Sequence, residues 1–163
     1  MVSFNETHLQ LMHSKSQLRF VGVSEVRQLS RILQSSEEIM SCVKGWHQGN
    51  LSLMCATSER ILILPMNQQK PTIIQVFYDQ IISLKTTEKA LHKQVILSLA
   101  NETIVFSSWR KKYVKDMYNL AKRHTAYKKE LIQDNEDVYK IPLRLRELSQ
   151  HIRYAQQGPA KDF

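Results

Sequence analysis

Hydrophobic and polar positions change period once along this chain, and the change divides it into three parts. Residues 1–36 follow a helical spacing. Thr7 to about Phe20 places Leu9, Met12 and Phe20 near one face with Leu11 and Leu18 beside it, which predicts a loose amphipathic helix. Ser24 to about Gln34 repeats Val26, Leu29, Ile32 and Leu33 at helical intervals, with Ser24 placed to cap the first turn and Glu25 suited to its positive end. Ser35 and Ser36 end that helix.

From Glu37 the period drops to two and stays there for about seventy residues. The alternation predicts strands over 39–46, 51–57 and 60–64, joined by a turn at Gly49-Asn50 and a tight connection at Ser58-Glu59. Pro65 and Pro71 frame a polar loop, because proline cannot donate within a ladder. Further strands are predicted over 72–78, 80–84, 94–99 and 103–106, with Asp79 as a corner, Lys85 to Lys93 as a polar loop or long hairpin tip, and Ala100-Asn101-Glu102 as a turn. Seven strands result.

Ser107 or Ser108 then caps a helix from near Trp109 to at least His124, with Trp109, Tyr113, Met117, Leu120 and Ala121 as its apolar stripe. Residues 130–137 are acidic and read as a linker. Pro142 opens a last helix, in which Ile141, Leu145, Leu148 and Ile152 make a candidate partner seam that packs on the domain or on a second copy of the chain. The organisation expected is an N-terminal helical extension over 1–36, a strand-rich domain over 37–129, and a linker with a C-terminal helix over 130–163.

Charge sharpens this picture. The net charge is +8, and residues 1–107 hold ten Lys/Arg against eight Asp/Glu, whereas residues 108–163 hold thirteen against seven. The basic character therefore sits in the C-terminal third and favours an acidic partner. Lys111, Lys112, Lys115, Lys122 and Arg123 are the candidates for an anionic surface, with Lys44 on the first strand as a sixth.

The longest apolar run, Ile61 to Leu64, is far shorter than a bilayer crossing, and the first twenty residues have no continuous apolar core. The expectation is a cytoplasmic protein, with the membrane surface as an alternative address. Cys42 and Cys55 lack metal-ligand spacing and are expected to be small buried residues. The catalytic, nucleotide-phosphate and metalloprotease motifs are missing, and the histidines are scattered, so neither an enzyme nor a cofactor is expected.

The order of elements, seven strands in hairpins closed by one helix, resembles the pleckstrin-homology (PH) superfold. Gly49-Asn-Leu-Ser-Leu-Met-Cys-Ala-Thr-Ser-Glu-Arg-Ile-Leu-Ile-Leu64 resembles the "G-x-L-x-x-T-x-x-R-L-hydrophobic" core of bacterial PH-like domains of the YokE type. Tyr78-Asp-Gln-Ile-Ile-Ser-Leu84 resembles their "Y-x-x-I-x-S-I" strand pair, and Thr103-Ile-Val-Phe106 their last strand. The resemblance implies an α+β fold, a seven-stranded antiparallel barrel capped by a C-terminal helix, here with helical extensions at both ends.

It also implies a binding module. PH domains that hold inositol phosphates place basic residues near the first hairpin. Lys44 and His47 alone make a poor phosphate cage, and Trp46 beside them reads as core, with an exposed aromatic dipping into a membrane interface as the alternative. Within the matching run, Thr57 is expected to bond turn backbone and Arg60 to brace a nearby carboxylate such as Asp79. The reading is a non-enzymatic adaptor binding protein, including itself through the 141–152 seam. An anionic membrane surface bound through the basic closing helix is the alternative, and nucleic acid is disfavoured for want of a recognition motif.

Overall fold

The computed structural model describes residues 2–14, 21–66 and 72–129. Met1–Ala126 form one compact unit and Tyr127–Phe163 a second, of which 127–129 are described and helical. Within the first unit the order is α1 (Phe4–His13), α2 (Val23–Ile32), β1 (Ile39–His47), β2 (Asn50–Thr57), β3 (Arg60–Pro65), β4 (Ile74–Phe77), a 3-10 turn (Tyr78–Gln80), β5 (Ser83–Glu88), β6 (Lys93–Ser98) and β7 (Thr103–Ser108). Helix α3 begins at 111 and fills the rest of the unit.

Every pairing is antiparallel and the strand order is β4-β3-β2-β1-β7-β6-β5. The β1–β2 hairpin turns on Gln48 (φ 48°) and Gly49 (φ 79°), both left-handed, as a two-residue turn matched to strand twist demands. Strand β1 belongs to both halves of the sheet. It pairs with β2 along its length, and with β7 only at Trp46 and His47. Gly45 allows that junction, since a Cβ there would fall 2.7 Å from the ring of Phe106.

Because successive side chains on a strand point to opposite faces, β1–β3 feed two cores at once. Val43, Met54, Ala56, Ile61 and Ile63 point into the barrel, where they meet Val95, Leu97, Ile104 and Phe106, and where α3 adds Val114, Met117 and Ala121. Cys42, Leu53, Cys55, Leu62 and Leu64 point outward and are covered by Leu11 of α1 and Val26, Leu29 and Leu33 of the α2 region. The N-terminal helices are thus the second wall of this sheet. Each large aliphatic side chain so buried is worth about 1.5–3 kcal/mol.

The observed bounds correct several expected ones. Helix α1 starts earlier, at Phe4, because Ser3 caps it by accepting from the Glu6 amide. Helix α2 has Gly22, not Ser24, at its N-cap, and the Glu25 carboxylate lies where a Cβ on residue 22 would sit. Residues 80–82, read as strand, fall in the 3-10 turn and the corner after it, and β5 extends instead through the segment read as loop. The turn is closed by the Phe77 amide donating to Gln80 Oε1 and the Ile81 amide to the Tyr78 carbonyl, while the Tyr78 side chain is buried. On α3 the buried stripe is Val114, Met117, Ala121 and Thr125, and Trp109 precedes the helix and is exposed.

Candidate functional site

The matching run around Thr57 and Arg60 builds an internal polar joint. The Arg60 guanidinium donates from Nε to Glu37 Oε1 at 3.0 Å and from Nη2 to Glu37 Oε2 at 2.7 Å. Its remaining donors reach the Ile32 carbonyl at 2.9 Å and Gln75 Oε1 at 2.6 Å. The partner is therefore Glu37, not Asp79, which is exposed. Thr57 donates to Glu37 Oε1 at 2.7 Å and accepts from the amides of Glu59 and Arg60. Tyr78 donates to the Thr57 carbonyl at 2.6 Å.

Burial alone would raise the Glu37 pKa, but the hydrogen bonds from Arg60, Thr57 and the Gln34 amide outweigh it and hold the carboxyl below its ordinary value. The joint fixes the end of α2 to the β2–β3 turn, and its hydrogen bonds are satisfied internally. Glu37, the base of the joint, gave no signal of its own in the sequence, since it ends a polar stretch in front of a strand.

The basic candidates divide by position. Lys111, Lys112, Lys115, Lys122 and Arg123 share one face of α3, within about a third of its circumference, opposite the buried stripe. Lys112, Lys115, Lys122 and Arg123 are exposed, whereas Lys111 donates to Glu88 Oε1 at 3.0 Å. Lys44 is half-buried on β1, and its carbonyl accepts from Ser108 at 2.6 Å, which places it at the foot of α3 rather than on it. The seam residues Ile141, Leu145, Leu148 and Ile152 lie outside the described residues.

Two surface features complete the picture. Trp46 is half-buried and meets Trp109 in a tilted contact, ring centroids 4.4 Å apart and planes at 45°, which places it between the core and the exposed readings of the sequence. A groove of about 740 Å³ runs between α1, the start of β1 and α3, lined by Glu6, Leu9, His13, Glu38, Met40 and Leu120 among others. Leu9 and Met12 on the neighbouring face of α1 are more than half exposed.

Among the described residues, no group of three His, Cys, Asp or Glu side chains could hold a metal ion. Cys42 and Cys55 stand directly opposite each other on β1 and β2 as buried free thiols. Burial, then the hydrogen bond with Cys42, pushes the Cys55 thiol well up.

A family model described as "Bacterial PH domain" matches residues 33–123. No curated protein matches the chain. Among solved structures, it is similar to a pleckstrin homology domain from Shewanella amazonensis SB2B at 18% identity, covering 65% of this chain and 98% of that one, with a TM-score of 0.47. It is also similar to the Vps36 N-terminal PH domain, at 15% identity over 59% of this chain and 84% of that one, TM-score 0.48. A third is a DUF1696 family protein with a pleckstrin-homology domain from Shewanella loihica PV-4, at 13% identity over 61% and 92%, TM-score 0.44.

Proposed function

The chain belongs to the bacterial PH domain family, and from that premise we propose a non-enzymatic adaptor of the YokE type, in the cytoplasm, that binds protein, including a second copy of itself. The groove between α1, β1 and α3 carries this reading: its apolar Leu9, Met40 and Leu120 are flanked by the carboxylates Glu6 and Glu38. That combination suits an amphipathic helix with basic flanks. The 141–152 segment has such a composition, its four-residue apolar seam accompanied by Arg144 and Arg146 and followed by Arg153. The free, opposed thiols of Cys42 and Cys55 suit a reducing compartment.

Size-exclusion chromatography with light scattering tests the proposal. The full chain is expected to dimerise, and both deletion of residues 140–163 and Leu9→Asp are expected to return it to monomer. A full chain that remains monomeric at high concentration overturns self-association.

A second reading, attachment to an anionic membrane surface, is favoured by the exposed Lys112, Lys115, Lys122 and Arg123 on one face of α3. Binding to anionic but not neutral vesicles, weakening with salt, is its expected signature.

A further inference from the structure

Two of the most exposed large apolar side chains in the described residues sit at the same end of the molecule. Leu91 is 78% exposed and Trp109 66% exposed. The register brings them together: Lys93 on β6 pairs with Ser108 on β7, Leu91 lies two residues before Lys93, and Trp109 directly follows Ser108. Leu91 occupies the tip of a tight turn closed by the Lys89 amide on the His92 carbonyl at 2.9 Å.

The arrangement is held from both sides. Glu88 at the end of β5 accepts from Lys93 at 3.5 Å and from Lys111 at 3.0 Å, which ties the hairpin to the first turn of α3. Trp109 meets Trp46 in a tilted contact, ring centroids 4.4 Å apart, so its ring is positioned while most of it meets water. Around the two apolar points stand Lys89, Lys93, Arg110, Lys111 and Lys112, against Glu88 as the neighbouring carboxylate.

Shape and charge together select the occupant. A protein partner would have to offer a cavity for a leucine on a protruding turn, whereas a lipid surface deforms around it. Tryptophan is favoured at the headgroup level of a bilayer, and lysines beside it reach anionic phosphates. An aliphatic tip offers nothing on which a nucleobase could stack.

We infer that this end of the molecule docks on an anionic bilayer, with Leu91 and Trp109 entering the interface and the exposed Lys89 and Lys112 engaging lipid phosphates. The inference rests on the membrane reading above and deepens it, since it requires insertion where that reading requires charge alone. It also sets the membrane-facing end apart from the α1 groove, leaving the groove free to hold a protein.

Vesicle co-sedimentation and tryptophan emission test it, using phosphatidylcholine vesicles and equimolar phosphatidylcholine–phosphatidylglycerol vesicles. Trp46 and Trp109 are the two tryptophans of the chain, so the emission reports on this cluster. The expected result is binding to the mixed vesicles with a blue shift, and about tenfold weaker binding for each of Leu91→Ser and Trp109→Ser. Both residues are exposed, and unchanged thermal unfolding verifies that the variants are folded. Variants that bind as well as the parent, with salt sensitivity intact, overturn insertion and leave charge-driven binding standing. No binding by the parent overturns both, as does a blue shift produced by RNA but not by vesicles.

Discussion

Arg60 and Glu37 lie 23 residues apart in sequence and meet through two parallel hydrogen bonds, with the Glu37 side chain wholly enclosed and that of Arg60 7% exposed. Breaking such a pair leaves the other charge buried and unpaired. Glu37→Leu or Arg60→Met alone should therefore destabilise the fold by about 3–5 kcal/mol in chemical denaturation. The double substitution should cost less than the sum, because neither charge is then stranded; strict additivity would argue against the pairing.

The same pair gives the acid limb of stability a defined sign. The folded-state pKa of Glu37 lies below its ordinary value of 4.5, so the folded protein binds fewer protons there than the unfolded chain. The contribution is complete above pH 4.5 and is lost as pH falls through the folded value. Glu37→Gln should lower stability at neutral pH and flatten its decline below pH 4.5, measured as the denaturation midpoint at successive pH values.

Tyr78 is buried, with its hydroxyl on the Thr57 carbonyl at 2.6 Å and its ring stacked on His124 of α3 at 5.0 Å. Burial, followed by the nearby charges of Glu37 and Glu59, pushes its pKa far up, so it stays a neutral donor throughout the working range of pH. Tyr78→Phe keeps the ring and removes the donor. It should cost about 1–2 kcal/mol, whereas Tyr78→Ala should cost about 3–5 kcal/mol by opening a cavity.

Two neighbouring backbone positions should respond in opposite directions. Gln48 holds a φ of 48°, which favours glycine, and its side chain is exposed, so Gln48→Gly should raise the unfolding free energy by up to about 1 kcal/mol, read as a higher denaturation midpoint. Gly45→Ala would drive a Cβ into the Ser107 carbonyl oxygen and the Phe106 ring at the narrow β1–β7 junction, at a cost of about 1–3 kcal/mol. Equal and small effects at the two sites would count against the junction as described.

The division of the strands between two faces was legible from their period of two: Leu53 and Cys55 fall on one face of β2 and Met54 and Ala56 on the other, although both faces are buried. What alternation cannot give is the material that covers the outer face. Leu11 and Leu29 read as helix residues, but nothing in their spacing says that they cap Cys42, Leu62 and Leu64. Leu91 was present in the sequence as one apolar residue in a run of polar ones, and its meaning came only from the β6–β7 register that sets it beside Trp109. Trp46 falls between its two readings for a related reason: a strand residue near a sheet's end can be half-covered by one neighbouring ring rather than by the core.

The covering helices carry a consequence for the order in which the unit is made. During synthesis α1 and α2 leave the ribosome before β1–β3, the wall on which their apolar faces pack. At ten residues each, they are shorter than helices that hold together alone in water. The β1–β2 and β2–β3 hairpins, closed by short local turns, zip first. The apolar faces of α1 and α2 thus stay uncovered until β1–β3, made after them, are there to receive them.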